Sequence, residues 1–176
     1  TGGAILLPMN VSSLISQNAY VFILATGMLL CILTGGNIDL SVGSVVCFVG
    51  AIGAVLMVNM KMNMWLAILI MFVIGTLIGA FQGFWIAYVR IPPFIVTLAG
   101  MFFGRGMTSI ISTDMISIKN ATFMAWAKYK IYMPFGSYSK RGKFLPAYIY
   151  PTVIIAIIVL IVIIIVMKYT KFGRSV

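Results

Sequence analysis

The sequence predicts an all-α fold, a polytopic bundle of about five transmembrane helices. Hydrophobic residues make up 62% of the 176 residues and charged residues 8%, whereas a soluble domain carries about a quarter charged residues. The mean hydropathy is +1.16. So few polar groups cannot cover the surface of a soluble fold, which means that the surface must face lipid. Long apolar runs separated by short polar breaks are the third observation that indicates this fold.

Five apolar runs divide the chain, each close to the roughly 20 residues that a helix needs to cross a bilayer. The predicted spans cover about residues 18–34, 40–60, 64–89, 93–112 and 148–167. The last span consists mostly of Ile and Val, which are poor helix formers in water. Lipid nevertheless forces it to be helical, because every backbone N–H and C=O must be satisfied within the span.

Two segments outside the spans differ in character. Residues 1–17 mix apolar and polar side chains without Lys or Arg, and they predict an interfacial helix lying at the membrane surface. Residues 113–147 predict a longer, more polar loop. The basic residues of this loop are Lys119, Lys128, Lys130, Lys140, Arg141 and Lys143.

Charge and residue types exclude several classes of function. The net charge is +10, but all the basic residues except Arg105 flank apolar runs or lie in the long loop. This pattern indicates contact with lipid headgroups and no nucleic-acid partner. The chain has no histidine and no phosphate-binding loop motif, so we expect no catalytic residues, no metal, no cofactor and no ATP hydrolysis by the chain itself.

A polar break between the first two spans is the first candidate site. Its glycine and polar residues are Gly35, Gly36, Asn37, Asp39, Ser41 and Ser44. One interpretation is a turn at the membrane surface, in which Asn37 or Asp39 caps the next helix. The other is an interrupted helix whose exposed backbone lines a solute pathway. The residues alone leave both interpretations open.

Glycines at a spacing of four residues predict faces for close helix packing in the third and fourth spans. These glycines are Gly75, Gly79, Gly83, Gly100 and Gly104. The spacing favours packing over substrate contact. Gln82 lies beside the first series, and its amide could hydrogen-bond across such a contact.

A proline pair and two arginines mark the third and fourth spans. The sequence Arg-Ile-Pro-Pro at residues 90–93 ends the third span, because proline rings clash with a preceding helical turn. Arg105 lies within the fourth span, where an arginine must be paired or reach water. It either pairs with Asp39, as Arg90 also could, or extends to the far interface.

Several stretches resemble the permeases of ribose- and xylose-type, multiple-monosaccharide ABC sugar importers of bacteria. Residues 34–45 read TGGNIDLSVGSV, and residues 83–101 read GFWIAYVRIPPFIVTLAGM. Residues 105–107 continue the second stretch, and residues 171–174, KFGR, resemble the lead-in to a cytoplasmic coupling segment. The first stretch has one residue more between Thr34 and Ile38 than is usual in the family, which leaves the alignment of residues 35–37 loose.

The resemblance implies a multi-pass permease of roughly ten spans in the bacterial inner membrane, of which this chain is expected to be a fragment that does not transport alone. Implied partners are a second permease copy, two cytoplasmic ATPase subunits and an extracytoplasmic sugar-binding protein. Transport is expected to occur by alternating access, without chemical change to the sugar. The expected pathway also includes residues beyond the polar break that the resemblance covers: Pro92, Pro93, Thr97 and Arg105.

Orientation and substrate leave alternatives open. The resemblance puts residues 168–174 in the cytoplasm and the loop 113–147 outside, as a docking surface for the binding protein, although the charge bias favours the opposite. Trp85 and Tyr88 either anchor at the interface or stack on sugar rings. A permease for branched amino acids or nucleosides is a close variant, and a channel or scaffold without an ATPase partner is the competing class.

Overall fold

A computed structural model describes residues 7–113, 116–118, 120–127, 129–138, 144–170 and 173. Among these residues it contains helices and one pair of strands. In chain order they are α1 (Pro8–Leu33), α2 (Val42–Val58), α3 (Met64–Ala87), α4 (Pro93–Ile111), α5 (Ala121–Ala127), β1 (Ile131–Tyr138), β2 (Phe144–Ile149) and α6 (Pro151–Tyr169). The helical membrane fold that the sequence predicts is confirmed.

Spanning length separates the helices into two kinds. Within the described residues, four helices are long and apolar enough to cross a membrane: α1, α3, α4 and α6. Helix α2 has 17 residues, which makes it about 26 Å long, shorter than the roughly 30 Å of hydrocarbon in a bilayer. One of the five predicted spans is therefore a shortened helix preceded by non-helical chain.

Two predicted segments have more structure than the sequence indicates. Helix α1 begins at Pro8, so the described part of the predicted interfacial segment 1–17 is continuous with the first span. The predicted loop 113–147 contains α5, β1 and the start of β2. Some residues named in the sequence analysis lie outside the described residues: Lys119, Lys128, Lys140, Arg141, Lys143, Lys171, Phe172 and Arg174.

The two strands form an antiparallel hairpin that the sequence analysis did not predict. Ile131 pairs with Ile149 at one end, and Tyr138 pairs with Phe144 at the other. The register shifts between Tyr132 and Gly136, around a proline that has no N–H to give to the ladder. The amino group of Lys130 lies 4.3 Å from the centre of the Tyr148 ring.

The chain forms two compact units, one ending at Leu29 and resuming at Ala125, the other running from Leu30 to Met124. In the first unit, the small side chain of Ala19 on α1 packs against Val153 and Ala156 on α6. Partly buried Ile23 and Ile149 cover this cluster. Alanines at the contact let the two backbones approach closely.

The second unit packs α2, α3 and α4 together. At the α2–α3 turn, Met57, Met64 and Ala67 form a buried cluster. Helix α3 starts cleanly because the Asn63 side chain accepts a hydrogen bond from the backbone N–H of Trp65, 2.9 Å away. The antiparallel α2 and α3 bring the start of α2 close to the end of α3, which positions the site described below.

Ala67 is fully buried, so enlarging it tests the packing of α2 on α3. Overpacking a filled core costs about 1–3 kcal/mol. We expect Ala67→Leu to lower the free energy of unfolding by about this amount, measured by reversible unfolding of the protein in detergent micelles. Ala87→Leu, at the exposed end of the same helix, is the control and should leave the free energy of unfolding unchanged. Equal stability of the two variants would contradict the packing.

Candidate functional site

The first span ends at two glycines with left-handed backbone. Gly35 has φ of +116° and Gly36 has φ of +74°, a region that side-chain-bearing residues rarely adopt. The N–H of Gly36 donates to the carbonyl of Ile32 at 2.7 Å, and the Asn37 amide donates to the carbonyl of Thr34 at 3.2 Å. These contacts turn the chain sharply out of α1.

Asp39 organises the start of the next helix. Its Oδ1 accepts a hydrogen bond from the backbone N–H of Ser41 at 2.8 Å and lies 2.7 Å from the Ser41 hydroxyl. The Ser44 hydroxyl donates to the carbonyl of Ser41 at 2.7 Å. Ser41 is the N-cap of α2 but makes no side-chain cap bond. Asp39 therefore holds the capping residue itself and does not bond the first turn of α2, unlike the capping role that the sequence suggested.

Side chains from α3 and α4 reach the non-helical segment between the helices. The Ser41 hydroxyl lies 3.0 Å from Oε1 of Gln82 on α3. The Thr97 hydroxyl on α4 lies 3.3 Å from the carbonyl of Ile38 and also 3.3 Å from the carbonyl of Phe94 in its own helix, so its one proton is shared between the two acceptors. Ser41, Gln82 and Thr97 are only 2%, 9% and 3% exposed. Two distant parts of the chain, α3 and α4, thus bring buried polar groups to the short segment that ends at Ser41.

The polar groups of Gln82 and Thr97 lie inside α3 and α4 and not at the ends of the helices. Gln82 precedes the end of α3 at Ala87, and Thr97 follows the start of α4 at Pro93. At 1.5 Å per residue, both lie about 6–8 Å inside the helix ends. Non-helical backbone at that depth must be satisfied by other protein groups or by water in a cavity.

The glycines of α4 make room for this arrangement. A Cβ on Gly100 would overlap the amide of Gln82, and a Cβ on Gly104 would lie 3.1 Å from the Ser44 hydroxyl. A methyl group on Gly100 would displace the Gln82 amide, and one on Gly104 would require Ser44 to shift by a few tenths of an ångström.

The glycines of α3 differ from those of α4. No described atom lies within 4 Å of a Cβ built on Gly75, Gly79 or Gly83. The spacing of four residues is the same in both series, but the described chain brings a neighbour only to the series in α4. A packing role for the α3 glycines stays a prediction.

An open groove of about 1010 Å³ adjoins the site between α2, α3 and α4. Its wall is almost wholly carbon, from side chains such as Phe48, Phe81, Trp85 and Phe103, and the amide of Gln82 also lines it. The Trp85 ring packs edge-on against Phe81, with ring centres 5.9 Å apart. Tyr88 is 79% exposed and does not line the groove.

The arginines and prolines lie apart from the buried polar cluster. Arg90 has φ of +60° in the α3–α4 turn, Pro92 is the N-cap of α4 and Pro93 its first residue. Arg105 is exposed on α4. In the described part of the chain neither arginine forms the ion pair with Asp39 that the sequence allowed.

Sequence reasoning placed Gln82 beside a packing face but did not include it among the candidate pathway residues. It lies in α3, a 24-residue helix that is otherwise almost entirely apolar. A single carboxamide in such a helix is the signal that could have marked it, because a polar group at membrane depth needs a partner.

The four helices of spanning length in the described residues define the chain as membrane-embedded. Residues 10–176 match the family described as "Branched-chain amino acid transport system / permease component". The chain belongs to this family of permease components. Family and helices together confirm the prediction of a multi-pass protein of the bacterial inner membrane.

Individual relatives are named for sugar transport. The xylose transport system permease protein XylH of Escherichia coli K12 is 43% identical over 122 residues, 69% of this chain and 29% of the relative. The fructose import permease protein FruG of Bifidobacterium longum is 45% identical over 107 residues, 61% of this chain and 31% of the relative. The chain thus spans about a third of the length of these curated relatives. No solved structure shows a significant match.

The hydrogen bond from Thr97 to Ile38 can be tested without changing side-chain shape. Thr97→Val removes the hydroxyl, and the loss of one such bond is worth about 0.5–1.5 kcal/mol. We expect hydrogen exchange of the Ser41 backbone amide, which is hydrogen-bonded to Asp39, to become about two- to tenfold faster in the variant. Thr108→Val is the control, because the Thr108 hydroxyl bonds only the Gly104 carbonyl of its own helix. Unchanged exchange in Thr97→Val would show that this bond does not hold the segment.

Proposed function

We propose that the chain forms part of the transmembrane permease subunit of an ATP-driven importer for monosaccharides of the xylose or ribose type. Membership of the permease family supports the transport role, and relatives named for xylose, fructose and galactofuranose transport support the substrate class. The observation that carries the proposal is the non-helical connection from α1 to α2, held by buried polar groups of α3 and α4.

The interrupted segment is the proposed wall of the translocation pathway. Non-helical backbone in a membrane occurs where it is buried in protein or faces a water-filled cavity, and transporters use such breaks at their solute sites. The pathway residues of this proposal are Gly35, Gly36, Asn37, Asp39, Ser41, Ser44, Pro92, Pro93, Thr97 and Arg105. The sugar passes without chemical change, and the pathway opens alternately to the two sides.

The energy for alternating access comes from partner subunits in this proposal. Permease components of this kind work with ATPase and solute-binding components, and the sequence carries no phosphate-binding loop of its own. The proposed assembly contains a second permease copy, two cytoplasmic ATPase subunits and an extracytoplasmic sugar-binding protein. In this assembly the segment 113–147 faces the outside, where it contacts the binding protein.

A second candidate substrate class follows from the description of the family, which names branched-chain amino acids. Uptake into proteoliposomes separates the two classes. The complete permease is reconstituted with its ATPase and binding protein and supplied with radiolabelled D-xylose, D-fructose or L-leucine. ATP-dependent uptake of a sugar supports the proposal, and uptake of leucine alone supports the second candidate. Flux of solute that does not depend on ATP identifies a channel.

Asp39 provides a residue-level test of the pathway. Asp39→Leu removes the acceptor for both groups of Ser41, and hydrogen bonds to a charged group are worth about 1.5–3 kcal/mol each. We expect ATP-driven sugar uptake to fall by about tenfold or more, since 1.4 kcal/mol corresponds to a factor of ten. Asp39→Asn keeps an Oδ1 acceptor in the same position and should retain much more uptake. Wild-type sugar uptake in Asp39→Leu would show that Asp39 does not contribute to the pathway.

A further inference from the structure

Gln82 is held at the point where three segments of the chain meet. The residue is 9% exposed, and its Oε1 lies 3.0 Å from the hydroxyl of Ser41 at the start of α2. On the other side, the backbone of Gly100 on α4 approaches so closely that a Cβ there would overlap the Gln82 amide. The amide thus fills the space between the interrupted segment and α4.

The Ser41 hydroxyl has one proton and two acceptors within reach. Asp39 Oδ1 lies 2.7 Å away and Gln82 Oε1 lies 3.0 Å away. The hydroxyl donates to only one of them at a time, and the charged carboxylate is the stronger acceptor. When Ser41 donates to Asp39, a half-turn of the Gln82 amide makes Gln82 the donor to Ser41. The hydrogen bond between Gln82 and Ser41 therefore forms whether the Ser41 hydroxyl proton points to Gln82 or to Asp39.

Thr97 contributes a second attachment from the same side. Its hydroxyl bonds the Ile38 carbonyl, and it lies on α4 about one turn before Gly100. Helix α4 therefore contacts the segment in two ways. Thr97 bonds it directly, and Gly100 lies against the Gln82 amide, which in turn contacts Ser41. Disturbing either Gln82 or Gly100 should loosen the same segment.

We propose that Gln82 and Gly100 form one positioning device, in which the Gln82 amide, seated against Gly100, holds the interrupted segment and keeps the pathway closed until ATP-driven opening. This inference rests on the proposed transport function. Gln82 acts through Ser41 and the segment 37–41, so it is a positioning residue. Its loss releases the segment and allows solute to leak without ATP.

The test uses the complete permease in proteoliposomes with its ATPase and binding protein. It measures two quantities: ATP-driven uptake of radiolabelled D-xylose, and efflux of preloaded D-xylose without ATP. Gln82→Met keeps the length of the side chain and removes the amide. We expect efflux to rise about three- to tenfold, because one hydrogen bond is lost, while coupled uptake falls.

Matched controls lie on the same helices. Thr76→Val on α3 also removes a polar group, but the Thr76 hydroxyl bonds only the Phe72 carbonyl of its own helix. Gly106→Ala on α4 adds a methyl group where no described atom lies within 4 Å. Both controls should match the wild type in uptake and efflux.

Gly100→Ala tests whether the two residues act together. The added methyl group displaces the Gln82 amide, so this variant should leak like Gln82→Met. Shortening the neighbouring side chain makes room for the methyl group, so Gln82→Ala/Gly100→Ala should leak no more than Gln82→Ala alone. If the increases in efflux caused by Gln82→Ala and Gly100→Ala instead multiply in the double variant, the two residues act independently and the proposal of a joint role is overturned. Wild-type efflux in Gln82→Met would overturn the role of Gln82.

Two further measurements keep the test decisive. Ser41→Ala removes the hydroxyl that contacts both Gln82 and Asp39. If Gln82→Met fails to assemble, efflux in Ser41→Ala above that of Asp39→Asn supports the role of Gln82, and efflux no higher than that of Asp39→Asn overturns it. If the wild-type assembly shows no ATP-driven uptake of sugar, the proposed function fails by itself. The positioning role is then decided by hydrogen exchange of residues 37–41, which should be faster in Gln82→Met than in Thr76→Val, and equal rates would overturn it.

Discussion

Backbone groups that leave a helix at membrane depth need partners from elsewhere in the protein, and this requirement shapes the second unit of the chain. Between α1 and α2 the chain is non-helical, and other side chains supply the missing bonds. Asp39 accepts the N–H of Ser41, and Thr97 donates to the carbonyl of Ile38. The short α2 begins where this segment ends, and the close approach of α4 brings Thr97 to it.

Glycines show how the same local pattern serves different purposes. Gly100 and Gly104 lie where a Cβ would meet Gln82 or Ser44, whereas the series of Gly75, Gly79 and Gly83 meets no described atom. The close contacts of α4 therefore occur at the polar site, because Gly100 and Gly104 of α4 face Gln82 and Ser44. Spacing identifies a face that permits close approach, but the partner of that face depends on the arrangement of the helices.

A transport pathway requires groups that hold a segment firmly and yet release it in each cycle. Neutral hydrogen bonds suit this purpose, because each contributes only about 0.5–1.5 kcal/mol. The contacts to the interrupted segment from α3 and α4 are of this neutral kind. Salt bridges between helices would be harder to break once desolvated, and in the described residues Asp39 bonds only its near neighbour Ser41.

The sequence by itself determined the helical membrane fold, the positions of the main apolar helices and the polar break, because hydrocarbon imposes length and composition on every span. The Gly35–Gly36 turn, the proline start of α4 and the transporter family could also be predicted from local residues. Tertiary structure decided which distant groups meet. Gln82 pairs with Ser41 and lies against Gly100, and no arginine or lysine among the described residues pairs with Asp39. These contacts depend on helix packing, which spacing along one chain does not specify. The pairing of β1 with β2 escaped prediction for the same reason, since strand pairing joins residues that are separate in sequence and leaves little trace in hydropathy.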